Sequence, residues 1–408
     1  MNILFERFTL PEGLRKIIYN SPSVIIPTSK DQLFELIFGN EYTDKIEVLY
    51  DVNGKSIKEA EVVRCKNGAA VNYPEDYMRR RDPDCMRIAD DEPTDKPRFK
   101  DVYGYEFDEL RRDTFRWLTR QELILVPFKS GGYDYGYDSL LVCPRNAAFF
   151  GFAMAQLQAF VDLRTVENFK PRAVVYAAPP FRHTHFGGKQ VVVHCRHEDL
   201  HEVFSYNLYP GPSAKKGIYS VLIDIGEKEG WVTAHASSAR IITPYENEMV
   251  MMHEGASGGG KSELLQDVMR APDGRVLLGV NLVTGEESYI SMSDTCTIAP
   301  VTDDMAICHP SFQPANGKLA LADGEDGWFV RVDGITEYGS DPTYERISIH
   351  TKEPLIFFNL QGVPRATCLL WEHALDSDGS TCPNPRVIIP RRMIDRVVKT
   401  PVEVDVRS

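Results

Sequence analysis

Positive charge is what the sequence is shortest of. Its 408 residues carry 46 Lys and Arg against 59 Asp and Glu, a formal net charge of −13. The basic footprint that sequence-independent nucleic-acid binding needs is therefore missing. That balance leaves room for a nucleotide, since one loop and two lysines can be locally positive. No basic segment followed by an apolar run opens the chain, so no secretory signal is expected. Nor is any apolar run suited to a membrane: the longest, 147–163, is interrupted by Gln156, Gln158 and Asp162 and reads as a buried helix. The eight cysteines are scattered, with no Cys-x-x-Cys pair. This pattern points to reduced thiols in a cytoplasmic protein and away from a disulfide frame or a zinc site. Apolar residues at 43% and charged residues at 26% are ordinary globular values.

What is present is a mixture of helix and strand patterns, so the expected class is α/β, mixed α+β. A helix is expected over 106–121, where Phe107, Leu110, Phe115 and Leu118 share a face. Strands are expected over 173–176, 190–194 and 248–252, a helix after Lys216, and a hairpin over 278–291 around Thr284-Gly285. The charge-crowded stretch 79–101 reads as a surface excursion. Gly226-Glu227-Lys228-Glu229-Gly230 separates two apolar stretches, which divides the chain into expected domains 1–228 and 229–408.

The strongest chemical signal is Gly255-Ala256-Ser257-Gly258-Gly259-Gly260-Lys261-Ser262. The pattern Gly-x4-Gly-Lys-Ser lets backbone N–H groups turn inward around phosphate oxygens. Lys261 would bridge the terminal phosphates, and the Ser262 hydroxyl would ligate a divalent cation. A strand before the loop and a helix opening at Ser262 are the context this reading requires. Phosphoryl transfer also needs an acidic partner opposite Ser262, and Asp303-Asp304, after the apolar stretch 296–301, fits that place. Lys215-Lys216 and His235 precede the loop. Taken alone, a lone histidine and two adjacent lysines read more readily as a satisfied polar residue and a solvated surface.

Five segments in one order resemble the ATP-dependent phosphoenolpyruvate carboxykinases. Tyr209-Pro210-Gly211-Pro212-Ser213-Ala214-Lys215-Lys216-Gly217-Ile218-Tyr219-Ser220-Val221 is similar to their Tyr-x-Gly-Glu-x-Lys-Lys-Gly-Ile-Phe-Ser-Val, and Ala234-His235-Ala236-Ser237-Ser238-Ala239 to Met-His-Cys-Ser-Ala-Asn. The glycine loop follows, then Val301-Thr302-Asp303-Asp304 for Gly-Asp-Asp and Asn384-Pro385-Arg386-Val387-Ile388-Ile389-Pro390 for Asn-Thr-Arg-Val-x-Tyr-Pro. The resemblance implies a two-lobed carboxykinase-like fold with the phosphate loop in the C-terminal lobe. It implies Lys216, His235 and Asp304 as ligands of one Mn²⁺, Ser262 and Mg²⁺ serving ATP or GTP, and Lys261, Asp303 and Arg386 as catalytic groups.

The departures bear on the substrate. Lys261 and Asp304 stand farther apart in sequence than in the carboxykinases, which suggests a hairpin inserted over about 272–295. The glutamate of Gly-Glu-x-Lys-Lys is replaced, and no counterpart of Thr-Gly-Arg-Ser-Pro-Lys, whose arginine grips the substrate carboxylate, is recognised. Arg145, Arg182 and Arg240 are the substitutes considered. The chain also stops soon after Arg386, ahead of the family's nucleotide-closing region. The expectation is therefore phosphoryl transfer to an unidentified small-molecule or protein acceptor, with little oxaloacetate decarboxylation and with no nucleic-acid or membrane partner. The alternatives are a kinase resembling the HPr kinase/phosphorylase, whose Gly-Lys-Ser-Glu matches Gly260-Lys261-Ser262-Glu263, and a nucleotide-binding module without turnover.

Overall fold

The computed structural model describes residues 8–255, 260–265, 270–271, 273–291, 296–371 and 382–404. The chain is mixed α/β and divides into two compact units, residues 1–225 with 325–393 and residues 226–324 with 394–408. The first break falls close to the expected boundary, but the expected second domain, 229–408, is not continuous. Residues 325–393 return to the first unit because Leu355–Phe358 adds to Gly68–Asn72 as a parallel strand. A pairing between strands so far apart leaves no local sequence pattern.

The first unit contains two sheets. One runs in the order Val24–Ile25, Leu123–Ser130, Tyr137–Pro144, Ala173–Ala177, His201–Ser205, Val192–Arg196, Met86–Ile88, with Ala159–Phe160 added beside Leu123–Ser130. The other runs Lys45–Val52, Lys55–Cys65, Gly68–Asn72, Leu355–Phe358, Arg386–Pro390, Gly327–Arg331. The helix Ala148–Leu157 touches strands of both sheets, and all ten of its residues are buried. That position explains why its sequence, Ala-Phe-Phe-Gly-Phe-Ala-Met-Ala-Gln-Leu, is apolar all round, with no polar face. The fit is tight: a Cβ on Gly327 would lie 2.2 Å from the Gln156 carbonyl oxygen.

The amphipathic helix forms over Phe107–Leu118 and buries Phe107, Leu110, Thr114 and Leu118. Residues 79–101 are the surface excursion expected only in part, for 91–97 are mostly exposed but other positions turn inward. Arg79, Cys85, Ile88 and Phe99 are buried, and Met86–Ile88 is a sheet strand beside Val192–Arg196. Some of their charges are paired, as where Asp90 receives the Arg196 guanidinium at 2.7 Å.

In the second unit, Glu248–Glu254, Ala236–Ile242 and Thr297–Thr302 form a three-stranded antiparallel sheet. Val232–Ala234, Ala306–Cys308, Leu319–Asp323 and Val402–Val404 form a four-stranded one. Ala236, Ala299, Val301, Ala306, Cys308, Leu321 and Val402 share a core, with Val250 and Met252 packed against it. The expected hairpin is present as Val276–Val280 and Glu287–Ile290. Among the described residues no helix is long and apolar enough to cross a membrane.

Candidate functional site

The second unit assembles most of the predicted loop chemistry around the strand Ala236–Ile242. One neighbour, Glu248–Glu254, leads into the glycine loop; the other, Thr297–Thr302, ends at Asp303-Asp304. The Gly255 N–H donates to the His235 carbonyl at 3.3 Å, extending the ladder by one residue to the mouth of the loop. Ala256, Ser257, Gly258 and Gly259 lie outside the described residues. Gly260 has φ +81°, a conformation that favours glycine. Of the helix expected after Lys261, the described part is one 3-10 turn, Ser262–Leu265, packed on the central strand. Four residues of 3-10 turn carry little macrodipole, so attraction for phosphate rests on Lys261 and the loop backbone.

Side chains from separate segments meet there. The His235 Nε2 lies 2.7 Å from Asp304 Oδ1, and the Lys261 ammonium lies 3.5 Å from that oxygen while donating to the Gly255 carbonyl at 2.8 Å. The Ser262 hydroxyl donates to Asp303 Oδ1 at 2.7 Å. Lys261 and Asp303 are buried, with His235 and Asp304 only partly open to solvent. The site is thus self-paired: lysine, imidazole and serine hydroxyl each rest on a carboxylate. A nucleotide–metal complex would supply replacements on both sides, phosphate oxygens for the lysine and a cation for the aspartates.

Of the predicted Mn²⁺ ligands, His235 and Asp304 are brought together, while Lys216 belongs to the first unit, where its ammonium lies 5.4 Å from the centre of the Tyr219 ring. Two atoms 2.7 Å apart are close to the spacing of about 3 Å between neighbouring ligands of an octahedral ion with bonds near 2.1 Å. An imidazole with a carboxylate is a donor pair that Mn²⁺ accepts, whereas Mg²⁺ takes oxygen donors such as the carboxylates and the Ser262 hydroxyl. Among the described residues no group of three or more His, Cys, Asp and Glu is placed to hold a metal, so this pair would need ligands of other kinds.

Arg386 lies in the first unit, in a cluster that the sequence reading did not anticipate. Asn359 and Asn384, both with positive φ (57° and 54°), donate to the Arg79 carbonyl at 2.8 and 2.9 Å. This fixes the run Arg79-Arg80-Arg81 beside Asn384 and Arg386. Arg386 donates to Asn384 Oδ1 and to the Phe329 carbonyl, and Asn384 reaches the Tyr209 hydroxyl at 3.2 Å. A Cβ on Gly211 would lie 3.6 Å from the Arg81 Cβ, which places Arg81 at the same turn. Burial pushes the Tyr209 phenol above its usual range, although Arg386 and Arg80 oppose this. Among the described residues Arg80, Arg81 and Arg386 pair with no carboxylate, and the Arg81 Nε and Asn207 Nδ2 are buried donors without acceptors. Unmatched donors of this kind suit an anion.

The substitutes considered from sequence are placed differently. Arg182 is buried and held by Glu59 at 3.2 Å and Glu75 at 2.9 Å. Arg240 faces Glu248 at 4.0 Å. Arg145 donates to the Leu36 carbonyl and lines a cleft of about 450 Å³ that contains none of the other predicted residues. The available signal for the missed cluster was Arg81-Asp82-Pro83, which keeps the Arg-x-Pro order of Thr-Gly-Arg-Ser-Pro-Lys.

Fold and site together define a mixed α/β protein of two units, with a lysine–aspartate–histidine cluster at a glycine loop in one and an arginine cluster in the other. Residues 10–408 match the model of a family described as a domain of unknown function, DUF4914, and the chain belongs to that family. No curated protein matches it.

Proposed function

We propose that this protein is a nucleotide- and divalent-metal-dependent phosphotransferase whose acceptor is a small anion, carboxylate-bearing molecules first among them. The observation that carries the reading is the meeting of His235, Lys261, Ser262, Asp303 and Asp304 around one strand end. Lys261 would leave Asp304 for the phosphates of ATP or GTP, and Ser262 would turn from Asp303 to the Mg²⁺ of the nucleotide. His235 and Asp304 would hold Mn²⁺. A bound metal supplies Lewis-acid stabilisation of the charged phosphoryl oxygens. In the first unit, Arg80 and Arg81 supply guanidiniums for an acceptor carboxylate, and the resemblance gives Arg386 the charge that develops on the transferred group.

The arginine cluster alters one sequence-based expectation. Little oxaloacetate decarboxylation was expected because no clamp was recognised, and Arg81 is a candidate for that clamp. The test is ADP formation from ATP with Mg²⁺ and Mn²⁺, alone and with a panel of carboxylates that includes oxaloacetate. Acceptor-dependent ADP formation is expected, and ADP formation independent of every acceptor would contradict the reading. The self-paired resting site favours one second reading, a module that binds nucleotide without turnover. It would bind Mg-ATP and release no ADP.

A further inference from the structure

Adjacent serines on the central strand of the second unit are treated differently by the fold. Strand alternation sends Ser237 and Ser238 to opposite faces. Ser238 is on the core side: its hydroxyl meets Thr302 Oγ1 at 2.9 Å, and Thr302 in turn donates to the Ala236 carbonyl at 2.9 Å. Ser237 is 1% exposed, and its hydroxyl has no hydrogen-bond partner. It pairs across the ladder with His253 and stands two residues from His235, which is matched with Gly255 at the loop mouth. With the strand extended from 235 to 237, Ser237 shares a face with His235, away from the core packing of Ala236. His253 belongs to that face too, for a Cβ on Gly255 would lie 3.7 Å from its Nε2.

A buried hydroxyl without a partner destabilises a folded protein, and removing it is neutral or favourable unless something else satisfies it. Here it stands on the strand face of His235, whose imidazole meets Asp304 in the proposed nucleotide site. We infer that Ser237 is a further ligand-binding residue of that site, its hydroxyl donating to a phosphate oxygen of the bound nucleotide. The inference rests on the nucleotide-binding reading of the Lys261 loop. Ser237 would act as a neutral donor alongside the cationic Lys261, placing a phosphate oxygen without adding charge beside Asp304.

The experiment compares the full chain with Ser237→Ala, Ser237→Cys and Lys261→Ala, measuring the thermal midpoint without ligand and Mg-ATP affinity by calorimetry. Ser237→Ala should leave the ligand-free midpoint unchanged or higher and weaken Mg-ATP about tenfold or more, as loss of a hydrogen bond to a charged group does. Ser237→Cys, close in size but a weak donor, should fall between wild type and Ser237→Ala. Unchanged affinity in Ser237→Ala alongside a large loss in Lys261→Ala would overturn the Ser237 inference and leave the nucleotide site standing. A lowered ligand-free midpoint in Ser237→Ala, with Ser237→Cys binding Mg-ATP as wild type does, would mark a structural hydroxyl and also overturn it. If wild type and Lys261→Ala bind Mg-ATP equally, or neither binds, the nucleotide reading fails and the inference with it.

Discussion

The two clusters hold charge in opposite ways. Around the described part of the glycine loop, the Lys261 ammonium and the Ser262 hydroxyl rest on Asp304, Asp303 or a backbone carbonyl. Around Tyr209, Arg80, Arg81 and Arg386 meet no carboxylate among the described residues. A self-paired site is stable when empty and must exchange partners to bind, so its ligand has to bring both negative and positive charge. Mg-nucleotide does. A cationic site without carboxylates is already arranged for an anion. The contrast makes the two units suited to ligands of different charge.

The largest effect expected is in the arginine cluster. Replacing Arg81 by Ala should lower kcat/KM for an accepted carboxylate by roughly a hundredfold, the loss of a charge-assisted bond to a desolvated anion. Arg182→Lys should leave it unchanged, because Arg182 is already held by Glu59 and Glu75. Equal losses in both variants would erase the distinction between an open cluster and a closed one. Initial-rate kinetics at fixed Mg-ATP reads it directly.

A smaller effect is expected when the self-pairing itself is broken. Asp304→Asn removes the carboxylate shared by His235 and Lys261 and should weaken Mn²⁺ binding at least tenfold, measured as free Mn²⁺ by electron paramagnetic resonance. Unchanged Mn²⁺ affinity would separate this pair from metal chemistry and leave it as an internal salt bridge.

The smallest effect concerns stability of the first unit. His194, His201 and Asp224 form a buried chain, with His194 Nδ1 2.9 Å from His201 Nε2 and His201 Nδ1 3.0 Å from Asp224 Oδ2. If Asp224 accepts from His201, and His201 accepts from His194, both imidazoles are neutral. Burial foremost, then His201 and Arg196, hold the His194 imidazole well below its ordinary 6.5, against Asp224. The unfolded chain therefore takes up a proton that the folded chain refuses. Stability is full above about pH 6.5 and falls as pH drops below it, by about 1.4 kcal/mol per pH unit until the folded group titrates. His194→Gln should flatten the decline of the thermal midpoint between pH 7.5 and 5.5; an equal decline in both proteins would place the acid-labile group elsewhere.

What the sequence makes legible here depends on distance along the chain. The strand before the glycine loop, the helix from Lys216, the hairpin at 276–290 and the meeting of His235 with Asp304 could each be read from a local pattern or an ordered set of motifs. The return of 325–393 to the first unit could not, because it rests on Leu355–Phe358 joining Gly68–Asn72. The arginine cluster was hidden for a related reason. Arg79-Arg80-Arg81 looks like a solvated charge run until Asn359 and Asn384 are seen to fix its backbone. Ser237 was visible only as one letter of a motif; its unsatisfied hydroxyl is a property of packing.

The central claim, that the Lys261 loop binds the phosphates of a nucleotide, is tested most directly by titrating Mg-ATP into wild type and Lys261→Ala by calorimetry. Saturable binding to wild type is expected, with a loss of at least a hundredfold in a variant whose thermal midpoint is close to wild type, since one buried ion pair to Asp304 is exchanged for a desolvated contact to phosphate. Equal affinity in the two proteins, or no binding to wild type, would contradict it.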